Sequence, residues 1–82
     1  MFDKKVFVRI NSKIKDSENN NILYDSKLIS IDDGKECLTR FEDSVYKGTT
    51  FYLELINNIV ICLPVSEINN IMIYPEKVLE NE

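Results

Sequence analysis

Few side chains in this chain could do chemistry, and most of them are carboxylates. Asp32, Asp33 and Glu36 cluster around Gly34, with Glu42 and Asp43 a little further along. Such a cluster could hold a hard cation, but a calcium loop needs ligands at alternate positions and a bidentate acid at the twelfth. That spacing is absent, and Asp-Asp-Gly is accounted for by turn chemistry. Glu54 stands alone in an apolar run beside Tyr52. A mid-strand acid either meets a Lys or Arg at a rim or is held for a ligand or partner, so Tyr52 and Glu54 are candidate interface or ligand residues. The chain has no histidine, which removes Ser-His and Cys-His nucleophiles and most zinc sites. Cys37 and Cys62 read as buried, reduced thiols, and a buried thiol is a poor nucleophile. The two glycines, Gly34 and Gly48, are isolated, so no phosphate loop or dinucleotide fingerprint can be built. No catalytic residue, metal site or cofactor is nominated, and the chain reads as a non-enzyme.

Charge narrows the partner. The net charge is −4. The first fifteen residues carry +4, residues 16–46 carry −5 and the remainder −3. A net acidic chain is poorly suited to general phosphate-backbone binding, so nucleic acid is an unlikely partner. Lys4, Lys5 and Arg9 could still form a local anion site, although lysines on a first strand also serve to guard a sheet edge. Asp25, Asp32, Asp33, Glu36, Glu42 and Asp43 are either solvated turn residues or a negative surface presented to a basic protein. In the second reading Phe41 and Tyr46 flank the acids as aromatic anchors.

The element that organises the chain is Thr49 to Tyr74, its longest apolar stretch. Asn57-Asn58 separates two apolar runs, and Asn tolerates the positive φ of a tight turn. A two-residue turn places Leu55 opposite Val60 and Leu53 opposite Cys62. Both faces of the resulting hairpin are mainly apolar, so Ile59 to Leu63 is expected to be buried on both sides, as a core strand or under a subunit interface. Pro64 cannot donate to a ladder, so pairing should weaken there. Ser66 can cap a short helical turn through Asn70, in preference to a second hairpin turn at Asn69-Asn70. Ile71 to Tyr74 resumes as a strand.

Elsewhere, Lys4 to Asn11 reads as a first strand with Val6, Val8 and Ile10 on one face. Ser12 to Asn21 reads as a mobile polar loop or the arm of a long hairpin. Ile22 to Ile31 is a second strand bent near Asp25-Ser26. Asp32-Asp33-Gly34 marks a turn into a third strand, Glu36 to Phe41. Glu42 to Gly48 has the charge order of one helical turn closed by Gly48. Eighty-two residues make one domain, residues 1–75, with 76–82 as a polar tail.

The expected fold is all-β: a small barrel or strongly curled antiparallel sheet of five to six strands with at most one short helical turn. Over its last third, the order strand, Pro, short turn, strand is similar in layout to SH3-like and Sm-like barrels. No run is long enough to span a membrane, and the start has no secretory h-region, so a cytoplasmic protein is expected. Ile, Asn and Lys make up a third of the chain, which their codons tie to an AT-rich bacterial or phage genome. The functional expectation is a small interaction protein that binds a protein partner and forms a homo-oligomer. Its sharp version is a phage or mobile-element inhibitor of a bacterial defence or regulatory enzyme. The alternative is an oligomeric barrel binding a nucleotide or short nucleic acid, with Tyr24, Tyr46 or Tyr52 stacking on bases.

Overall fold

The computed structural model describes residues 4–80. Its element order is β1 (Lys5–Lys15), β2 (Asn21–Asp25), β3 (Ile29–Ser30), α1 (Ile31–Lys47), β4 (Thr50–Glu54), β5 (Val60–Pro64), β6 (Ile68–Pro75) and α2 (Lys77–Glu80), with 3-10 turns at Ile56–Asn58 and Val65–Glu67. The fold is therefore mixed α/β, which corrects the all-β expectation. The strands form two sheets, and these do not close into a barrel.

The largest correction is α1, a helix of 17 residues where a turn and a strand were expected. Ser30 caps it: its hydroxyl accepts the Asp33 amide at 3.1 Å. Asp32 and Asp33 occupy the first turn, where carboxylates complement the positive helix end. Gly34, Cys37, Leu38 and Phe41 recur at helical spacing and face inward. Gly34 permits the close approach: a Cβ there would lie 3.1 Å from Val6 Cγ2 and 3.3 Å from Ile73 Cδ1. Gly48, at φ 66°, closes the helix in the left-handed conformation and donates its amide to Val45. The expected turn ending at Gly48 is thus the last turn of a much longer helix.

β1 is the central strand of the larger sheet. Val6 pairs with both Ile29 and Pro75, and Arg9 with both Asp25 and Met72. β2 and β3 therefore share one edge of β1, and β6 occupies the other. β1 runs on to Lys15 and turns back through an ordered bend, in which Asp16 accepts the amides of Glu18 and Asn20. The arm alternative for Ser12 to Asn21 thus describes the chain better than the mobile loop. The second strand breaks at Ser26, near the expected bend.

The β4–β5 hairpin forms as expected, but its register is displaced by one residue. Glu54 pairs with Val60, Leu53 with Ile61 and Phe51 with Leu63. Asn57 and Asn58 both have positive φ, yet they share a three-residue loop with Ile56, closed by the Leu55 amide on the Ile59 carbonyl at 2.7 Å. The slip sorts the faces. Phe51, Leu53 and Leu63 turn into the core, whereas Tyr52, Val60 and Cys62 turn outward and are exposed. Burial of Ile59 to Leu63 on both sides is not observed.

After Pro64 a 3-10 turn at Val65–Glu67 leads into β6, without the side-chain cap expected from Ser66. Asn69 and Asn70 lie within β6 and make no hairpin turn. The tail is not wholly frayed: the Glu76 amide donates to the Lys5 carbonyl and α2 comes next, while residues 81–82 fall outside the described residues. The core gathers Val8, Ile10, Ile68 and Ile71 from the larger sheet, Cys37 from α1, and Phe51, Leu53 and Leu63 from the hairpin. Among the described residues no helix is long and apolar enough to cross a membrane.

Candidate functional site

Among the described residues, the two sheets are joined by a single bridge, between Ser26 and Leu55. At that point the Lys27 amide donates to the Glu54 carbonyl at 3.1 Å. Beside the bridge, residues of α1 and β4 and the segment from Ser26 to Ile29 surround a hollow. This cleft has a volume of about 370 Å³. Asp33, Glu36, Cys37 and Arg40 reach it from one face of α1, Tyr52 and Glu54 line it from β4, and Lys27 from the link between β2 and β3.

Four of the residues singled out from the sequence meet in this cleft: Asp33, Glu36, Tyr52 and Glu54. Glu54 is paired with Lys27 at 2.9 Å, a half-exposed ion pair at the rim. Arg40 lies over the Tyr52 ring at 4.9 Å and the Phe51 ring at 5.3 Å, and it donates to the Tyr52 carbonyl at 3.4 Å. Both bases of the cleft are thus engaged by its own walls. Cys37 sits at the buried end, and burial pushes its thiol pKa upward, a shift that neighbouring Arg40 opposes and Glu36 reinforces. A thiol so held stays protonated at neutral pH. Sequence reasoning missed Arg40 and Lys27. The i, i+4, i+7 spacing of Asp33, Cys37 and Arg40 would have exposed Arg40 had the segment been read as a helix.

The remaining acids separate. Asp32, Glu36 and Asp43 stand four and seven residues apart and form one solvent-facing stripe on α1. Glu42 is exposed on another flank of the helix. Asp43 pairs with Lys47 at 3.1 Å. Phe41 turns the opposite way and meets Phe51 edge-on at 5.3 Å, as a core residue. Tyr46 is 91% exposed near the helix end.

The basic residues do not converge. Arg9 holds Asp25 through two bonds of 2.7 and 2.9 Å and lies over the rings of Phe7 and Tyr74, which stack on each other at 5.7 Å. Lys4 and Lys5 are exposed at the start of β1. Tyr24 packs against the core.

The outer face of the hairpin adjoins the cleft through Tyr52. Tyr52, Ile56, Ile59 and Val60 are each more than half exposed, and Cys62 is exposed beside them. No charged residue lies between Glu54 and Glu67. Comparison with protein-family models, with curated proteins and with solved structures finds no match.

Proposed function

We propose that this protein acts by binding another protein chain, through the outer face of the β4–β5 hairpin, with the α1 cleft and its acidic stripe as the rim. The observation that carries the reading is the outer face of the hairpin, where Tyr52, Val60 and Cys62 are exposed and the one charged side chain, Glu54, is paired with Lys27. A domain this small has little surplus stability, and a solvated strand face normally alternates to polar residues. Contiguous exposed apolar side chains mark contact surfaces. Tyr52 is a suitable anchor: it is a large side chain, already oriented by Arg40. Glu36 belongs both to the cleft and to the stripe with Asp32 and Asp43, so the rim favours a partner with a basic surface and hastens its approach.

The test is capture and identification of a bound protein from host extract, with variants on each surface. Tyr52→Ser should abolish capture. The pair Glu36→Lys and Asp43→Lys should weaken it and make what remains less sensitive to salt. Undiminished capture by Tyr52→Ser removes the hairpin from the contact surface.

A further inference from the structure

We propose that β5 pairs edge to edge with β5 of a second copy of this chain, joining the two hairpins into one continuous sheet; the proposal rests on the hairpin being a contact surface. The hydrogen-bond pattern identifies the kind of occupant. In the ladder with β4, Leu55 bonds Ile59 and Val65 bonds Thr49. Antiparallel ladders alternate, so Ile61 and Leu63 also direct their main-chain groups toward β4. Val60, Cys62 and Pro64 direct theirs to the opposite edge. Among the described residues no strand covers that edge. Its free groups ask for an extended chain, since only another strand offers donors and acceptors at this spacing.

Self-pairing fits for three reasons. Protein edges are normally guarded by charge, above all lysine. β5 has none, so two acidic copies can approach along it without like charges facing one another. The strand is also self-complementary about a two-fold axis. Centred on Cys62, Cys62 pairs with its counterpart and the Val60 amide meets the Pro64 carbonyl. Centred on Ile61, Val60 and Cys62 pair reciprocally. In both registers Pro64, which has no amide hydrogen, contributes only as an acceptor or stays outside the ladder. Lastly, pairing extends the exposed apolar strip across both copies. An edge contact of two five-residue strands is small beside the roughly 1,000 Å² that a lasting interface needs, so the dimer is reversible.

The two registers place the Cys62 Cα atoms of the two copies about 5.5 Å apart or roughly 7–8 Å apart. The experiment is therefore light scattering of the purified protein over a concentration series, with thiol cross-linking by a bismaleimide that spans about 8 Å. The expected result is a mass rising from one chain to two, and a cross-linked dimer that is lost in Cys62→Ser. Val60→Lys should weaken association about tenfold or more while leaving the circular dichroism spectrum unchanged. Amide exchange at Val60 and Cys62 should slow as concentration rises, whereas exchange at Ile61 and Leu63 should not change.

A single-chain mass at every concentration overturns the proposal, as does a dimer that Val60→Lys leaves intact. These measurements use the purified chain alone. A monomer whose capture of another protein still depends on Tyr52 would therefore remove the second copy and leave the broader reading standing.

Discussion

The buried hydroxyl of Ser26 accepts the Val8 amide at 2.8 Å, and the Val8 carbonyl accepts the Ser26 amide at 2.8 Å. A side-chain oxygen thus stands in for a strand carbonyl at the point where β2 breaks. The same hydroxyl donates to the Lys27 carbonyl at 2.8 Å, and Ser26 forms the bridge to Leu55 that joins the two sheets. Ser26→Ala leaves the Val8 amide buried and unsatisfied. It should cost about 1–3 kcal/mol in urea unfolding. The hairpin amides should lose exchange protection more than those of β1 and β6.

The two glycines should respond to substitution for opposite reasons. Gly48 has φ 66° and no neighbour within reach of an added Cβ, so Gly48→Ala is a purely conformational change, expected to destabilise by about 1–2 kcal/mol. Gly34 has ordinary helical backbone but little space. Gly34→Ala gains about 1 kcal/mol of helix propensity and loses a comparable amount in displacing Val6 and Ile73, so it should stay near wild type. Gly34→Leu should cost about 1–3 kcal/mol or more through overpacking. Thermal melts of the three variants test this order.

Arg9 is mostly shielded from solvent, as is Asp25, and it is stacked on two rings. Removing Arg9 takes the charge partner from the Asp25 carboxylate. Arg9→Met should cost about 1–3 kcal/mol. Asp25→Asn should cost less, since the amide oxygen can still accept one bond. A double-mutant cycle read by urea titration should return a coupling well above the ~0.5 kcal/mol typical of exposed pairs.

The two thiols should differ sharply. Cys62 is exposed and Cys37 is buried, so a maleimide should label Cys62 quickly and Cys37 only at the rate of unfolding or local opening. The Cys37 thiol also holds its proton more tightly in the folded state, chiefly through burial. The unfolded thiol ionises near 8.5. Below that value the stabilisation is fully present. It is lost as pH rises from there through the folded-state pKa. Urea midpoints taken between pH 7 and pH 10 should fall for the wild type, and the fall should be smaller in Cys37→Ala.

How far the sequence specified this structure depended on whether competing patterns were present. Asn57-Asn58 announced a hairpin because Asn tolerates the positive φ of a tight turn, although the same pair at Asn69-Asn70 lies extended within β6. Asn57 and Asn58 did not set the hairpin's register: a two-residue and a three-residue loop both accept them, and two apolar faces give the pleat no polar side by which to choose. The end of β5 at Pro64 was legible because a missing amide has the same effect in any fold, but the turn after it comes earlier than Ser66 suggested, over Val65–Glu67, and Ile68 to Asn70 are strand. The helix was not. Asp32-Asp33-Gly34 is good turn chemistry and also a good first helical turn behind a Ser cap, and the two readings diverge only beyond Gly34. There, Cys37, Leu38 and Phe41 are too few to separate periods of two and 3.6 by eye. Of the cleft, Tyr52 and Glu54 stood out as polar interruptions of an apolar run, whereas Arg40 depended entirely on the helix.

The position of β1 bears on the order of assembly. Its partners β2 and β3 come almost at once in the chain, but β6 arrives much later: the bond from Asn69 to the Ser12 carbonyl spans 57 residues. The two hairpins and α1 close short loops and can form early, whereas the β1–β6 ladder requires the largest loss of chain entropy and comes last. Until it does, the open edge of β1 carries Val6, Val8 and Ile10 without cover, and Lys5, Lys13 and Lys15 keep that edge from zipping onto another nascent chain. Unfolding should therefore begin with the release of β6. Trimming Ile71 or Ile73 should act mainly on the unfolding limb of the chevron, because their contacts form on the native side of the rate-limiting barrier.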